Sequence, residues 1–233
     1  MPNGLLEVIA LDAEDARRAV DGGADRIELV SGMEFAGFCP ALETLEEVRA
    51  AVDAPVRVML RLRENFAIGG GAGVAAISAT ARRLREAGAE EFVLGWLDEK
   101  NAVDLAAIER VRESWGGLPF TFHKAMDQVA DRDAAYAAVR TLPGVDTVLT
   151  SGGPHPAGQG AQVLAAEAAR EAGLGAAGLR ILVGGGLKLA DVPVLQGVGL
   201  TDFHVGSAVR TGADWAGPVD PELVQRWREA VAG

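Results

Sequence analysis

The chain has 233 residues, 49% of them hydrophobic, with a formal net charge of -11, so it is long enough for one enzyme-sized domain with a large core and too acidic for a nucleic-acid or anionic-membrane partner. One cysteine, Cys39, excludes an intrachain disulfide framework and fits a reducing cytoplasm. The start, Met-Pro-Asn-Gly, shows no leader pattern, and no run reaches the roughly 20 apolar residues of a membrane helix.

Apolar, β-branched runs alternate with Ala/Arg/Glu/Leu-rich stretches of helical spacing along the whole chain. The first run, near residues 5–10, contains Glu7 and is followed by helical spacing over 12–20. The second, 26–30, contains Arg26 and Glu28 and leads to a helix over 44–52. The third, 56–62, carries Arg61 with Arg63 just beyond. A glycine cluster, 69–73, comes next, readable as a mobile active-site loop or a flexible connection, and then a helix over 73–86. Runs at 91–97, 119–123 and 146–150 are followed by helices over 104–113, 134–142 and 159–171, and further runs fall at 179–184 and 201–206. Glycines at 22–23, 88, 144, 197 and 199 precede alternate strands, where each would end a helix in a left-handed cap. Eight repeated βα units without a composition break predict an α/β fold, a single (β/α)8 TIM barrel over residues 1–233. An open doubly wound sheet is the competing arrangement, but neither the first nor the last run reads as a protected edge.

The candidate site lies in charged residues set inside these apolar runs. Burying an ionised group costs several kcal/mol unless it is paired, so acids and bases in successive strands imply an assembled site, and a barrel places such a site at the C-terminal ends of its strands. Alternation groups Glu7 with Ile9, Arg26 with Glu28 and Val30, Met59 with Arg61 and Arg63, and Thr121 with His123, while Lys124 falls on the other side unless the strand ends at His123 and the loop re-aims it. Glu7, Glu28, Arg61, His123 and Asp127 are the catalytic candidates. The structural alternatives are a Glu28–Arg61 pair, an Arg26 ion pair at the barrel bottom, helix capping by Asp98 and Asp127, packing by Trp96, and a solvent loop around His155. His204 is balanced between the two roles. Ser151 and Gly152, Gly184 and Gly185, and Gly206 and Ser207 close strands six, seven and eight, where backbone amides can cradle a phosphate.

The segments Leu-Glu-Val at 6–8, Gly-Gly-Ala-Asp-Arg-Ile-Glu-Leu at 22–29, Arg61-Leu-Arg63, Phe-Thr-Phe-His-Lys-Ala-Met-Asp at 120–127 and Val-Leu-Thr-Ser-Gly at 148–152 together resemble the CutC copper homeostasis family, in order from Glu7 to His204. The resemblance implies a TIM barrel, a cytoplasmic location, and copper homeostasis with copper binding, with no settled reaction attached to the family. Copper binding there is connected with cysteines two residues beyond the strand-one and strand-two glutamates. This chain has Ile9 and Val30 at those positions. Cu(I) prefers thiolate or thioether ligands, and Cys39 and Met33 are the soft groups near strand two.

Two readings follow. In one, the protein handles copper or another divalent ion through Glu7, Glu28, His123 and Cys39. In the other, it is an isomerase- or lyase-type enzyme moving a proton beside the carbonyl of a small anionic, phosphorylated or sugar-like substrate, with Glu7 or Glu28 as base, His123 as acid and Arg61 holding the anion. The expected partner is accordingly a small anionic molecule or a metal ion, and the apolar composition suggests a homo-oligomer, a dimer.

Overall fold

A computed structural model describes residues 4–233. Eight strands, β1 (Leu6–Ala10), β2 (Arg26–Leu29), β3 (Val56–Met59), β4 (Glu91–Leu94), β5 (Phe120–Phe122), β6 (Val145–Thr150), β7 (Arg180–Val183) and β8 (Asp202–Val205), pair in sequence order, and β8 returns to β1. Every pairing is parallel. The expected closed (β/α)8 barrel is therefore the fold, and the open sheet is not.

The helices α1 (Ala13–Asp21), α2 (Leu42–Ala51), α3 (Gly70–Glu86), α4 (Leu105–Trp115), α5 (Arg132–Val139), α6 (Ala161–Gly173), α7 (Val192–Gln196) and α8 (Pro221–Ala232) follow the strands in turn. Asp12, Asp104, Asp131 and Asp220 cap α1, α4, α5 and α8 by accepting from backbone N–H groups of the first turn, satisfying donors that have no partner inside the helix. The glycine before each even-numbered strand takes up the left-handed backbone expected of it, with φ of 96° at Gly23, 98° at Gly88, 89° at Gly144 and 90° at Gly199.

Three boundaries differ from the sequence reading. Regular pairing in β3 and β4 stops at Met59 and Leu94, because the chain beyond them turns outward to build the mouth. The 69–73 glycines form the start of α3 rather than a long loop, with Gly69 left-handed at φ 90°. A Cβ on Gly73 would lie 1.7 Å from the Ile68 carbonyl oxygen, which requires glycine there. The sequence reading contains no helix at α7 or α8: α7 is a single short turn containing Pro193, and α8 buries Val224, Trp227 and Val231 at helical spacing.

One strand face packs outward against the helices through fully buried residues such as Leu6, Val8, Ile27, Phe92, Phe122 and Phe203. The alternate positions line the barrel and form a stack of polar layers topped by a small apolar cluster of Ile9, Val30, Met59 and Val93. Near the bottom, Arg57 donates to Glu91 at 2.7 Å, Thr121 at 2.5 Å and Asp146 at 2.6 Å. That network joins β3, β4, β5 and β6. Among the described residues, no helix is long and apolar enough to cross a membrane.

Candidate functional site

A cavity of about 560 Å³ opens at the C-terminal mouth of the barrel, within the size range of small-molecule sites. Its walls bring together Glu28, Arg61, His123, Lys124 and His204, with Ser151, Gly185, Gly206 and Ser207 from the late loops. Thioethers of Met33 and Met59 and the Trp215 indole supply apolar surface.

The deepest part is a Glu7–His204–Glu28 arrangement that exists only because the barrel closes. β1 pairs with β2 on one side and β8 on the other, placing Arg26 and His204 opposite Glu7. Glu7, fully buried, accepts from Arg26 Nε at 2.5 Å on one oxygen and lies 2.7 Å from His204 Nδ1 on the other. Burial alone would raise its pKa, but the Arg26 charge and the His204 bond outweigh it and hold the carboxyl down to about 2. Glu7 is therefore an ionised positioning group, with both oxygens engaged by protein partners.

Glu28 behaves oppositely. Its Oε2 is 3.7 Å from His204 Nε2, and its Oε1 is buried with no partner. Burial, eased by His204 and aggravated by the neighbouring Glu7 charge, pushes this carboxyl up to about 7. Burial also opposes charging His204, but Glu28 and the bond to Glu7 hold its imidazole above the ordinary value. Two buried carboxyls side by side thus have widely separated affinities for a proton, the arrangement expected of an acid–base site.

His204 therefore takes the place beside Glu7 and Glu28 that sequence reasoning gave to His123. Its chain neighbourhood gave only a strand-end signal; its partners lie on strands one and two. His123 sits across the barrel at the end of β5, buried, with Nδ1 accepting from Ala125 N–H at 3.2 Å and Nε2 without a partner. Burial, reinforced by the Arg61 charge, pushes its pKa down to about 3, so the imidazole is neutral.

Arg61 faces the cavity, but its terminal nitrogens are committed. Nη1 donates to the carbonyls of Phe35 at 2.9 Å and Gly37 at 2.7 Å, and Nη2 donates to Glu64 O. The guanidinium also lies between the rings of Phe38 and Phe66, 5.3 and 5.2 Å from their centroids. This differs from the free anion clamp expected from the sequence: Arg61 ties the loops after β2 and β3 together. Arg61→Met is accordingly expected to lower stability by about 3 kcal/mol, since charge-assisted bonds contribute about 1.5–3 kcal/mol each, and a urea midpoint shift measures it. Arg63 is exposed and lies against Gly69.

Asp127 is likewise an anchor. Its carboxylate accepts from Thr150 Oγ1 at 2.5 Å, Ser151 Oγ at 2.9 Å, and the N–H groups of Ser151 and Gly153 at 3.1 Å, fixing the loop after β6. Lys124, expected to point away, is swung into the mouth because a 3-10 turn over Lys124–Gln128 begins immediately after His123. A Cβ on Gly185 would come 2.8 Å from its Nζ. Of the glycines proposed for a phosphate cradle, Gly185 and Gly206 line the cavity, as do Ser151 and Ser207. Gly152 and Gly184 are instead points of close packing, where a Cβ would meet the Gly160 carbonyl at 2.7 Å or the His204 ring at 2.8 Å.

Cys39 does not line the cavity. Burial pushes its thiol up to about 12, so it remains protonated and is a poor metal ligand. Glu7, Glu28 and His204 each offer one atom within 4.8 Å of the others, replacing the expected Glu7, Glu28, His123 and Cys39 set.

Fold and site together define a TIM-barrel protein with a cavity at its C-terminal mouth in which a few charged groups are set in a largely apolar lining. The chain belongs to the CutC family, whose profile matches residues 5–209. It is 35% identical over 203 residues to a CutC family protein of Xanthomonas campestris pv. campestris, covering 87% of this chain and 82% of that one. It is 33% identical to the human copper homeostasis protein cutC homolog, over 87% of this chain and 73% of that one. The crystal structure of CutC from Streptococcus agalactiae superposes with a TM-score of 0.78 at 25% identity, covering 87% of this chain and 98% of that one.

Proposed function

We propose that the barrel mouth is an acid–base site acting on a small anionic carbonyl or sugar-like molecule, with Glu28 and His204 carrying the proton. The observation that carries this reading is the unpartnered Oε1 of Glu28, on a carboxyl that titrates near 7 in the cavity wall. A base with a pKa near the working pH is best placed both to take a proton and to return it. Glu7 and Arg26 hold His204 in position, and Lys124 gives the mouth a cation without an acidic partner among the described residues. The single cysteine and the apolar composition fit a cytoplasmic homo-oligomer, and the relatives' names attach to copper homeostasis.

The test is exchange of α-protons in D2O. Wild type, incubated with a panel of hydroxyketones, aldoses and their phosphates, is expected to deuterate one of them at a rate that rises as Glu28 ionises around pH 7. Glu28→Gln is expected to lower that rate by about 10²–10⁴. A panel with no exchange above the protein-free control sinks the reading.

Copper binding is the second reading, favoured by the Glu7, Glu28 and His204 cluster and by the Met33 and Met59 thioethers on the same cavity. The donors suit a divalent ion better than Cu(I), because no thiolate is present and Glu7 is already engaged. Anaerobic titration against a chromogenic Cu(I) chelator is expected to show only weak uptake. Tight 1:1 uptake that survives Cys39→Ser and is lost in His204→Ala would establish copper binding in its place.

A further inference from the structure

We propose that His123 is the neutral hydrogen-bond donor of this site, holding the oxygen of a carbonyl substrate through Nε2–H while Glu28 moves the proton on the adjacent carbon; the inference rests on the acid–base reading above. Four observations converge on it. First, Nδ1 of His123 accepts the Ala125 N–H at 3.2 Å. A neutral imidazole has one donor and one acceptor nitrogen, so an engaged acceptor at Nδ1 puts the proton on Nε2.

Second, Nε2 is buried without a partner, in a residue that is 3% exposed and lines the cavity. Buried donors are almost always satisfied, so an unmet donor in a cavity wall marks where a ligand acceptor belongs. Third, the ring is held. Phe66 packs on it at 5.1 Å between centroids, and a Cβ on Gly95 would approach Nδ1 to 3.0 Å, so the absent side chain there makes room for it. Fourth, burial beside Arg61 keeps the ring uncharged at physiological pH. A neutral donor is suited to an oxygen on which negative charge develops and then disappears, because it gives up no proton to it.

His123 stands on β5 and Glu28 on β2, with the cavity between them. With a carbonyl compound bound, the Glu28 carboxylate takes the proton from the α-carbon, and that C–H pair becomes the new C=C bond. The carbonyl π pair moves to oxygen, where Nε2–H of His123 meets it. Return of the proton from Glu28 to the same carbon regenerates the carboxylate and the substrate; in an α-hydroxycarbonyl compound the remaining hydroxyl proton of the enediolate passes to the former carbonyl oxygen as Glu28 protonates the other carbon, which leaves the isomer. No oxidant, reductant or metal enters the balance. His204 cannot take the donor role, since its Nδ1 is bound to Glu7 and its Nε2 is directed to Glu28.

Long-range 1H–15N correlation of the imidazoles in the wild-type protein tests the assignment without any variant. One ring, identified by its loss in His123→Gln, is expected to show a protonated Nε2, a bare Nδ1 and no titration between pH 5 and 8. Phosphoglycolohydroxamate, an enediolate analogue, is then expected to shift that Nε2–H resonance, and His123→Phe is expected to weaken its binding by about 10²-fold, while His123→Gln retains more of it. A ring titrating near 6.5, an Nδ1–H tautomer, an analogue that leaves the resonance unmoved, or equal affinity in wild type and His123→Phe overturns the proposal. Because these readouts do not involve Glu28 turnover, failure of the base assignment appears separately, as unimpaired exchange in Glu28→Gln.

Discussion

Replacing Glu7 with Gln is expected to destabilise the barrel by about 3–5 kcal/mol, the cost of breaking a buried ion pair from one side. Glu7 is 0% exposed and Arg26 6% exposed, and one Arg26 terminal nitrogen already lacks a partner. With the carboxylate gone, the guanidinium is a buried charge with no counter-ion on β1. The amide keeps one acceptor oxygen where the carboxylate had two, so either Arg26 or His204 also loses its bond, and the junction of β1, β2 and β8 is weakened where the barrel closes. The urea midpoint reads the loss. The double variant Glu7→Gln with Arg26→Met is expected to recover part of it, because it removes the stranded charge. A loss below about 1 kcal/mol in the single variant would show the pair to be solvated, contrary to its burial.

The stability of the wild type is expected to form a plateau between about pH 5 and 6.5 and to fall on both sides. Glu7 is depressed from 4.5 to about 2, so its stabilisation is present above 4.5 and is lost as pH falls towards 2. His123 is depressed from 6.5 to about 3, and its neutral burial costs stability progressively as pH falls below 6.5. Glu28 works the other way: raised from 4.5 to about 7, it loses stability as pH rises through that window. Between 4.5 and 6.5 the Glu28 and His123 slopes cancel. Above that, Glu28 completes its loss, and His204, raised above 6.5, loses its stabilisation as well. Glu28→Gln removes the falling contribution, so its stability should climb to about pH 6.5 and exceed wild type at pH 8 by up to about 3 kcal/mol. Thermal melts from pH 4 to 9 check this, and a variant less stable than wild type at pH 8 would mark Glu28 as a required ion-pair partner.

The candidate site was legible in the sequence to the extent that its chemistry is local to a strand. Glu28 in an apolar run, and His123 at the end of another, are visible because a charged or polar residue in a strand that otherwise reads as buried needs a partner. What the partner is does not follow from the run. Glu7 and Glu28, alike in pattern, end with pKa values near 2 and 7, because Arg26 and His204 engage one carboxylate fully and leave the other half free. Arg61, read as an anion holder, lies just past the last paired residue of its strand, and the loop carbonyls of Phe35 and Gly37 reach its nitrogens first.

By itself the sequence determined the eightfold alternation, the glycine-capped returns and the face of each strand, because periods of 2 and 3.6 and positive-φ turns are written in consecutive residues. Only the tertiary structure decided that His204 belongs with Glu7, 197 residues away. That contact depends on β8 hydrogen-bonding to β1, and such closure is a property of the whole sheet. Lys124 was decided at the same level: a 3-10 turn after β5 reverses the direction that strand alternation assigned to it. Periodicity carries a side chain only as far as its strand extends; beyond the strand ends, where the site is built, loop backbone and neighbouring strands set the direction of each group.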